Sequence, residues 1–236
     1  MSERLPLFPL GTVLYPGLLL PLHIFEERYR TLIADLTAGR PPAGTGATES
    51  GADGDRVPAF GVVAIREGRE AGAASAPELF EVGCSAQLRR VDPLPDGRFD
   101  IVTTGTDRFR LLEVDASGPY LVGEVEYLEE PAGDAADVLA TSVARHYQAY
   151  RDQLLSTQGQ APRVRGPLPE DPVVLSYLVG AAMVLDLRDK QSLLEEPDGT
   201  SRLRAELALL RRERAMLARL PSLPGTELTR TTVSPN

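Results

Sequence analysis

Residues Leu5–Arg30 read LPLFPLGTVLYPGLLLPLHIFEERYR, and how this stretch is parsed decides the fold. Two short apolar runs, Leu5–Leu10 and Leu18–Ile24, flank Tyr15-Pro16-Gly17. Pro-Gly is a strong turn signal, because Pro presets φ and Gly accepts φ > 0 at the next position. Prolines 6, 9, 16 and 21 cannot donate a ladder hydrogen bond. Both runs are therefore expected as edge strands, or as kinked strands at the rim of a barrel. From Phe25 the period changes. Phe25, Tyr29, Leu32, Ile33 and Leu36 fall at helical spacing, which predicts a helix over roughly 25–38.

Beyond that helix, Gly39–Pro58 is rich in Gly, Pro, Ala, Asp and Thr and cannot bury apolar area, so it reads as a loop. Its glycines at 44 and 46 lack the Gly-Lys-Ser/Thr ending of a phosphate loop. Ala59–Ile65 predicts a strand buried on both faces, and Arg66–Pro77 a second polar loop. Phe80–Val91, Arg98–Thr104, Asp107–Val114 and Tyr120–Leu128 predict four more strands. Turns are expected at Pro95-Asp96-Gly97, Gly105 and Ser117-Gly118-Pro119. Short antiparallel strands with little intervening helix point to a small closed or half-closed barrel.

After Glu129–Gly133 the pattern turns helical. Asp134 can cap a helix carrying Leu139, Val143, Tyr147, Tyr150 and Leu154 at the 3.6 period. Ser156–Leu168 reads as a loop. Asp171-Pro172 places an N-cap before a proline at the first helical position and opens an apolar helix to Leu185. Asp186 can cap a short helix to Glu195. Pro197-Asp198-Gly199 breaks the chain before a last helix from about Thr200 to Leu220, with Leu203, Leu207, Leu210, Leu217 and Leu220 as its stripe. The expected class is α+β: an antiparallel β-barrel over 1–130, a helical bundle over 134–220, and a loose tail over 221–236.

Composition narrows the function. The 236 residues carry a net charge of −9, which argues against a general nucleic-acid binder. The one cysteine, Cys84, excludes an internal disulfide and reads as a small buried strand residue. No basic-then-apolar leader is visible, and no run approaches the ~18 apolar residues of a membrane span, so the cytoplasm is the expected compartment.

Several segments, in order, resemble the N-terminal substrate-binding domain of the Lon ATP-dependent proteases. They are LPLFPL, YPG and LPLHIFE in the opening stretch, then Phe60-Gly61-Val62-Val63, then Val82-Gly83-Cys84-Ser85-Ala86. Pro95-Asp96-Gly97 and Gly105-Thr106-Asp107-Arg108-Phe109 follow, then Tyr120–Glu126, and finally Lys190–Glu195 with Arg202-Leu203. The likeness spans about residues 4–215. It implies a PUA-like barrel followed by a helical bundle, and a substrate-binding or protein-interaction role. The ATPase and Ser-Lys peptidase parts of the family find no counterpart here: Lys190 is the only lysine and sits in the helical KQ motif.

Other chemistry has little support. His23 and His146 have no second ligand at metal spacing, and no serine sits in a nucleophile elbow, so neither a catalytic residue, a metal nor a cofactor is expected. Glu26 and Glu27 diverge by about 100° on a helix and suit its positive N-terminus better than acid–base work. The expected partner is unfolded or tagged polypeptide, or a protein for which the chain acts as adaptor. Tyr15, Phe25, Glu26, Arg28 and Tyr29 are the candidate contacts, beside a strand edge that an extended peptide can join. Phe25 and Tyr29, one helical turn apart, either anchor the client or staple the helix to the barrel, and Tyr29 is the chosen probe. The alternative is an RNA-associated PUA-like protein using Arg202, Arg204, Arg211, Arg212, Arg214 and Arg219 of the last helix; a solvated arginine face is its ordinary explanation.

Overall fold

Seven strands and five helices follow one another in a computed structural model that describes residues 2–38, 58–67, 78–157 and 166–219. The expected loops at 39–58, 66–77 and 156–168 and the tail from Pro221 lie wholly or mostly outside the described residues. Two units result, one of Met1–Pro131 with Gly180–Pro197 and one of Ala132–Val179 with Asp198–Asn236.

The first unit holds β1 (Glu3–Leu10), β2 (Leu19–Ile24), α1 (Glu27–Thr37), β3 (Ala59–Glu67), β4 (Glu78–Leu79), β5 (Val82–Pro93), β6 (Phe99–Asp115), β7 (Val122–Tyr127) and α4 (Leu187–Glu195). Strands β1, β7, β6, β5 and β3 are neighbours in that order, and a β1–β3 pairing closes the ring. That closing pair is parallel, so the barrel is not wholly antiparallel as expected. Along β1 the partner changes in mid-strand: Glu3–Pro6 pair with β7, and Leu7–Leu10 with β3. Each half has one strand neighbour, which leaves a side where a proline's missing N–H costs no ladder bond.

Strand β6 corrects the expected turn at Gly105. It runs unbroken for 17 residues. Gly105 instead marks a close crossing, because the Tyr15 carbonyl fills the space a Cβ would need. The Gly105 N–H donates to Leu18 O at 2.9 Å, and its carbonyl accepts from Gly17 N–H at 2.8 Å. The β5–β6 register shifts between Cys84 and Ala86, beside this crossing. The Tyr15-Pro16-Gly17 turn forms as expected, with Gly17 at φ 78°.

Helix α1 sends Tyr29, Leu32 and Ile33 into a core with Phe8, Leu10, Ile24, Phe60, Leu88 and Ile101. A second cluster joins Leu5, Leu7, Val63, Phe109 and Val125. Helix α4, grouped by its sequence position with the later helices, docks on the strands. Gln191 Nε2 donates to Val82 O at 2.9 Å, and the Tyr15 hydroxyl donates to Lys190 O at 2.8 Å. The buried Arg108 guanidinium donates to the carbonyls of Leu194 (2.7 Å) and Glu196 (2.6 Å) and meets Glu130 at 2.6 Å. It satisfies the carbonyls that the end of α4 leaves open. Asp186 caps the other end, accepting from Asp189 N–H at 2.8 Å.

The second unit holds α2 (Ala136–Thr157), α3 (Pro172–Ala182) as far as Val179, and α5 (Gly199–Leu217). Asp171 and Asp198 cap α3 and α5 through the amides of Val173 and Ser201. Helix α3 ends at Ala182, three residues short of the expected Leu185, and α2 runs two residues into the expected loop. Val143, Tyr147, Tyr150, Leu175, Leu203 and Leu210 are buried. Arg202 is buried among them, its guanidinium 4.0 Å from the Tyr177 ring centroid and donating to Ser176 Oγ at 3.2 Å.

Candidate functional site

The passage from β2 into α1 builds the site. Along β2, Leu20, Leu22 and Ile24 are drawn inward while Leu19, Pro21 and His23 stay exposed, as the period of a strand demands. Among the described strands β2 pairs only with β6. Because Leu18 O accepts from Gly105, the even positions turn their peptide groups towards β6 and the odd ones, Pro21 included, turn away. A proline on that free side blunts the edge without closing it, since its carbonyl and the Leu19 and His23 groups remain.

Helix α1 starts at Glu27, with Glu26 extended (φ −72°, ψ 139°) at the N-cap position. Helical counting therefore does not reach Phe25, and Phe25 and Tyr29 do not share a helix face as the sequence predicted. Phe25 is 57% exposed, whereas Tyr29 is 5% exposed and stacked on Phe8 with ring centroids 3.9 Å apart. Both nonetheless line one cavity of about 180 Å³. Its walls are Phe8, Pro9 and Leu10 from β1, Leu22, His23 and Ile24 from β2, and Phe25, Glu26 and Tyr29. At the rim, His23 Nδ1 lies 2.6 Å from Asp100 Oδ1, and its ring stacks near Phe25 with centroids 6.3 Å apart.

Of the five predicted contacts, Phe25, Glu26 and Tyr29 come together at this cavity. Arg28 pairs with Glu26 at 2.9 Å and lies over the Tyr29 ring at 4.6 Å. Tyr15 is separate: it is 1% exposed and its hydroxyl is spent on Lys190 O. Leu19, 68% exposed on the outward face of β2, was not among the predicted contacts. The alternation of the strand was the signal that could have found it.

A larger cavity, about 440 Å³, lies where Arg4, Glu113, Asp115 and Glu124 gather. Two of its charges, Arg4 and Asp115, engage each other. Asp115 is held down to about 2 by the Ser117 hydroxyl and amide and then by Arg4, which it meets at 2.7 Å. Cys84 is fully buried, and burial pushes its thiol up, away from nucleophilic chemistry. Among the described residues no group of three or more His, Cys, Asp or Glu side chains could hold a metal, and no helix is long and apolar enough to cross a membrane.

A near-closed strand ring carries an apolar cavity at its opening strands, and helices follow it in the chain. The chain belongs to the ATP-dependent protease La (LON) substrate-binding domain family, whose model matches residues 4–212. It is 28% identical over 220 residues to the Lon protease of Escherichia coli (strain K12), covering 90% of this chain and 25% of that one. It is 27% identical over 201 residues to Lon protease 2 of Syntrophobacter fumaroxidans, covering 84% and 23%. The chain thus spans about a quarter of the length of these curated relatives. Among solved structures it resembles a Lon N-terminal domain protein from Xanthomonas campestris, with TM-score 0.58 and 25% identity over 87% of this chain and 98% of that one. The N-terminal domain of Mycobacterium avium complex Lon protease shares the fold, with TM-score 0.60 and 20% identity over 89% and 98%.

Proposed function

We propose that this chain acts in the cytoplasm as a non-enzymatic module that binds unfolded or tagged polypeptide, with the Phe25 cavity as its docking point. One observation carries the reading: a phenylalanine more than half exposed stands at the mouth of an apolar cavity, beside a strand that pairs on one side only among the described strands. Exposing such a ring to water is unfavourable unless something covers it, and aromatic anchors are the residues that carry interface energy. The cavity is smaller than the ~300–1,000 Å³ typical of small-molecule sites. It suits a single apolar side chain of an extended segment lying along β2. Membership of the substrate-binding family and the polypeptide substrates implied by the relatives' name, protease, support the same partner class.

The test is a titration of fluorescently labelled, reduced and alkylated polypeptide against the wild-type chain and Phe25→Ala. The substitution should weaken binding by about 1–3 kcal/mol. Because Phe25 is exposed, unfolding stability should stay within about 0.5 kcal/mol. Unchanged affinity with unchanged stability would remove Phe25 from the docking point.

A further inference from the structure

The outer face of α5 has a composition that the polypeptide-binding reading leaves unused. Along this helix Arg204, Ala208, Arg211 and Ala215 are all exposed, and Ala218 and Arg219 just past its end are exposed too. At about 100° per residue the four on the helix fall within one wedge about 60° wide, opposite the buried Arg202, Leu203, Glu206 and Leu210. No fully exposed carboxylate lies between positions 204 and 219. Arg212 is turned to Glu213, at 2.8 Å; Arg204 acts on Asp198 through its field without an ion pair, and neither Arg211 nor Arg219 makes an ion pair among the described residues. On a chain of net charge −9, this is a segregated basic stripe.

We propose that this face docks an acidic helix of another polypeptide. Three features select that occupant. Alanines between the arginines leave the backbone uncovered, so a second helix can approach to the usual interaxial distance of about 8–10 Å. Arg204 and Arg211 are seven residues apart, the spacing at which glutamates on a neighbouring helix recur, and a guanidinium fork meets a carboxylate in two bonds. A second copy of α5 fits poorly, because pairing the face with itself sets arginine against arginine. Single-stranded nucleic acid fits poorly too: Tyr147, Tyr150 and Tyr177, the tyrosines of this unit, are all buried and offer no stacking surface.

The probes are two labelled helical peptides of equal composition and a thymidine 20-mer, measured by fluorescence anisotropy on the full chain. One peptide carries glutamates in a single stripe; the other has them spread around the helix. The striped peptide should bind at least fivefold more tightly than the spread one. Arg204→Glu with Arg211→Glu should weaken it at least tenfold, and a lysine-striped peptide should recover binding to that double variant. Equal affinity for the two glutamate peptides, or indifference to the double substitution in a chain that still melts normally, would overturn the proposal. Tighter binding of the oligonucleotide than of the striped peptide would overturn it in favour of nucleic acid.

Discussion

At the scale of single residues, Phe25 and Tyr29 separate two roles that the sequence left open between them. Both are aromatic, both flank Glu26, and in sequence they look like one helical pair. The extended backbone at Glu26 divides them: Tyr29 lies on the helix and packs on Phe8, while Phe25 stays outside it. Tyr29→Ala should therefore act on the core and lower unfolding stability by about 3–5 kcal/mol, measured by denaturant titration. A loss under about 1 kcal/mol would mean the stacked ring contributes little packing. Tyr29 is accordingly a poor probe of the proposed client binding, and the exposed Phe25 is the better choice. Arginine carried the least legible roles. The local pattern around Arg108 and Arg202 does not predict their burial, because it depends on carbonyls and rings brought from distant segments.

Among the elements, those with local causes were legible and those with tertiary causes were not. The capping aspartates 171 and 186 each stand at the start of a helix as expected, since the cap is a contact across three residues. Asp198, read only as part of a break, also caps, and Asp134 lies two residues before the start of α2. The Pro16-Gly17 turn follows equally from local chemistry. Gly105 does not. Glycine in a strand-rich stretch reads as a turn, yet here it admits the backbone of Tyr15 against a continuous β6. Gly105→Ala should force that crossing apart and cost about 1–3 kcal/mol, read as a lowered denaturation midpoint. A neutral substitution would show that the crossing is loose. The parallel β1–β3 closure was likewise hidden, because strand polarity across a long connection leaves no mark on either strand's pattern.

For the whole molecule, the boundary between barrel and helices is not the one the chain order suggests. Helix α4 returns to the strands, where Val82 O, the Tyr15 hydroxyl and the Arg108 guanidinium receive it. A fragment of residues 1–131 would leave the buried Arg108 without its α4 carbonyls, so it should melt well below the full chain or fail to fold. A fragment with the full chain's melting temperature would show that α4 adds nothing to the barrel. The proline-rich opening stretch was legible as the segment lining this cavity, and three of the five candidate contacts lie there. Tyr15 is buried and Arg28 pairs with Glu26, placements that follow from packing and not from spacing. The central claim is that polypeptide docks at Phe25, and site-specific photo-cross-linking measures it most directly. A photoreactive side chain placed at position 25, and in a separate chain at the exposed Leu112 on β6, would be irradiated with a labelled unfolded polypeptide. The account predicts strong adducts from position 25 and few from position 112; equal adducts from both, or more from 112, would contradict it.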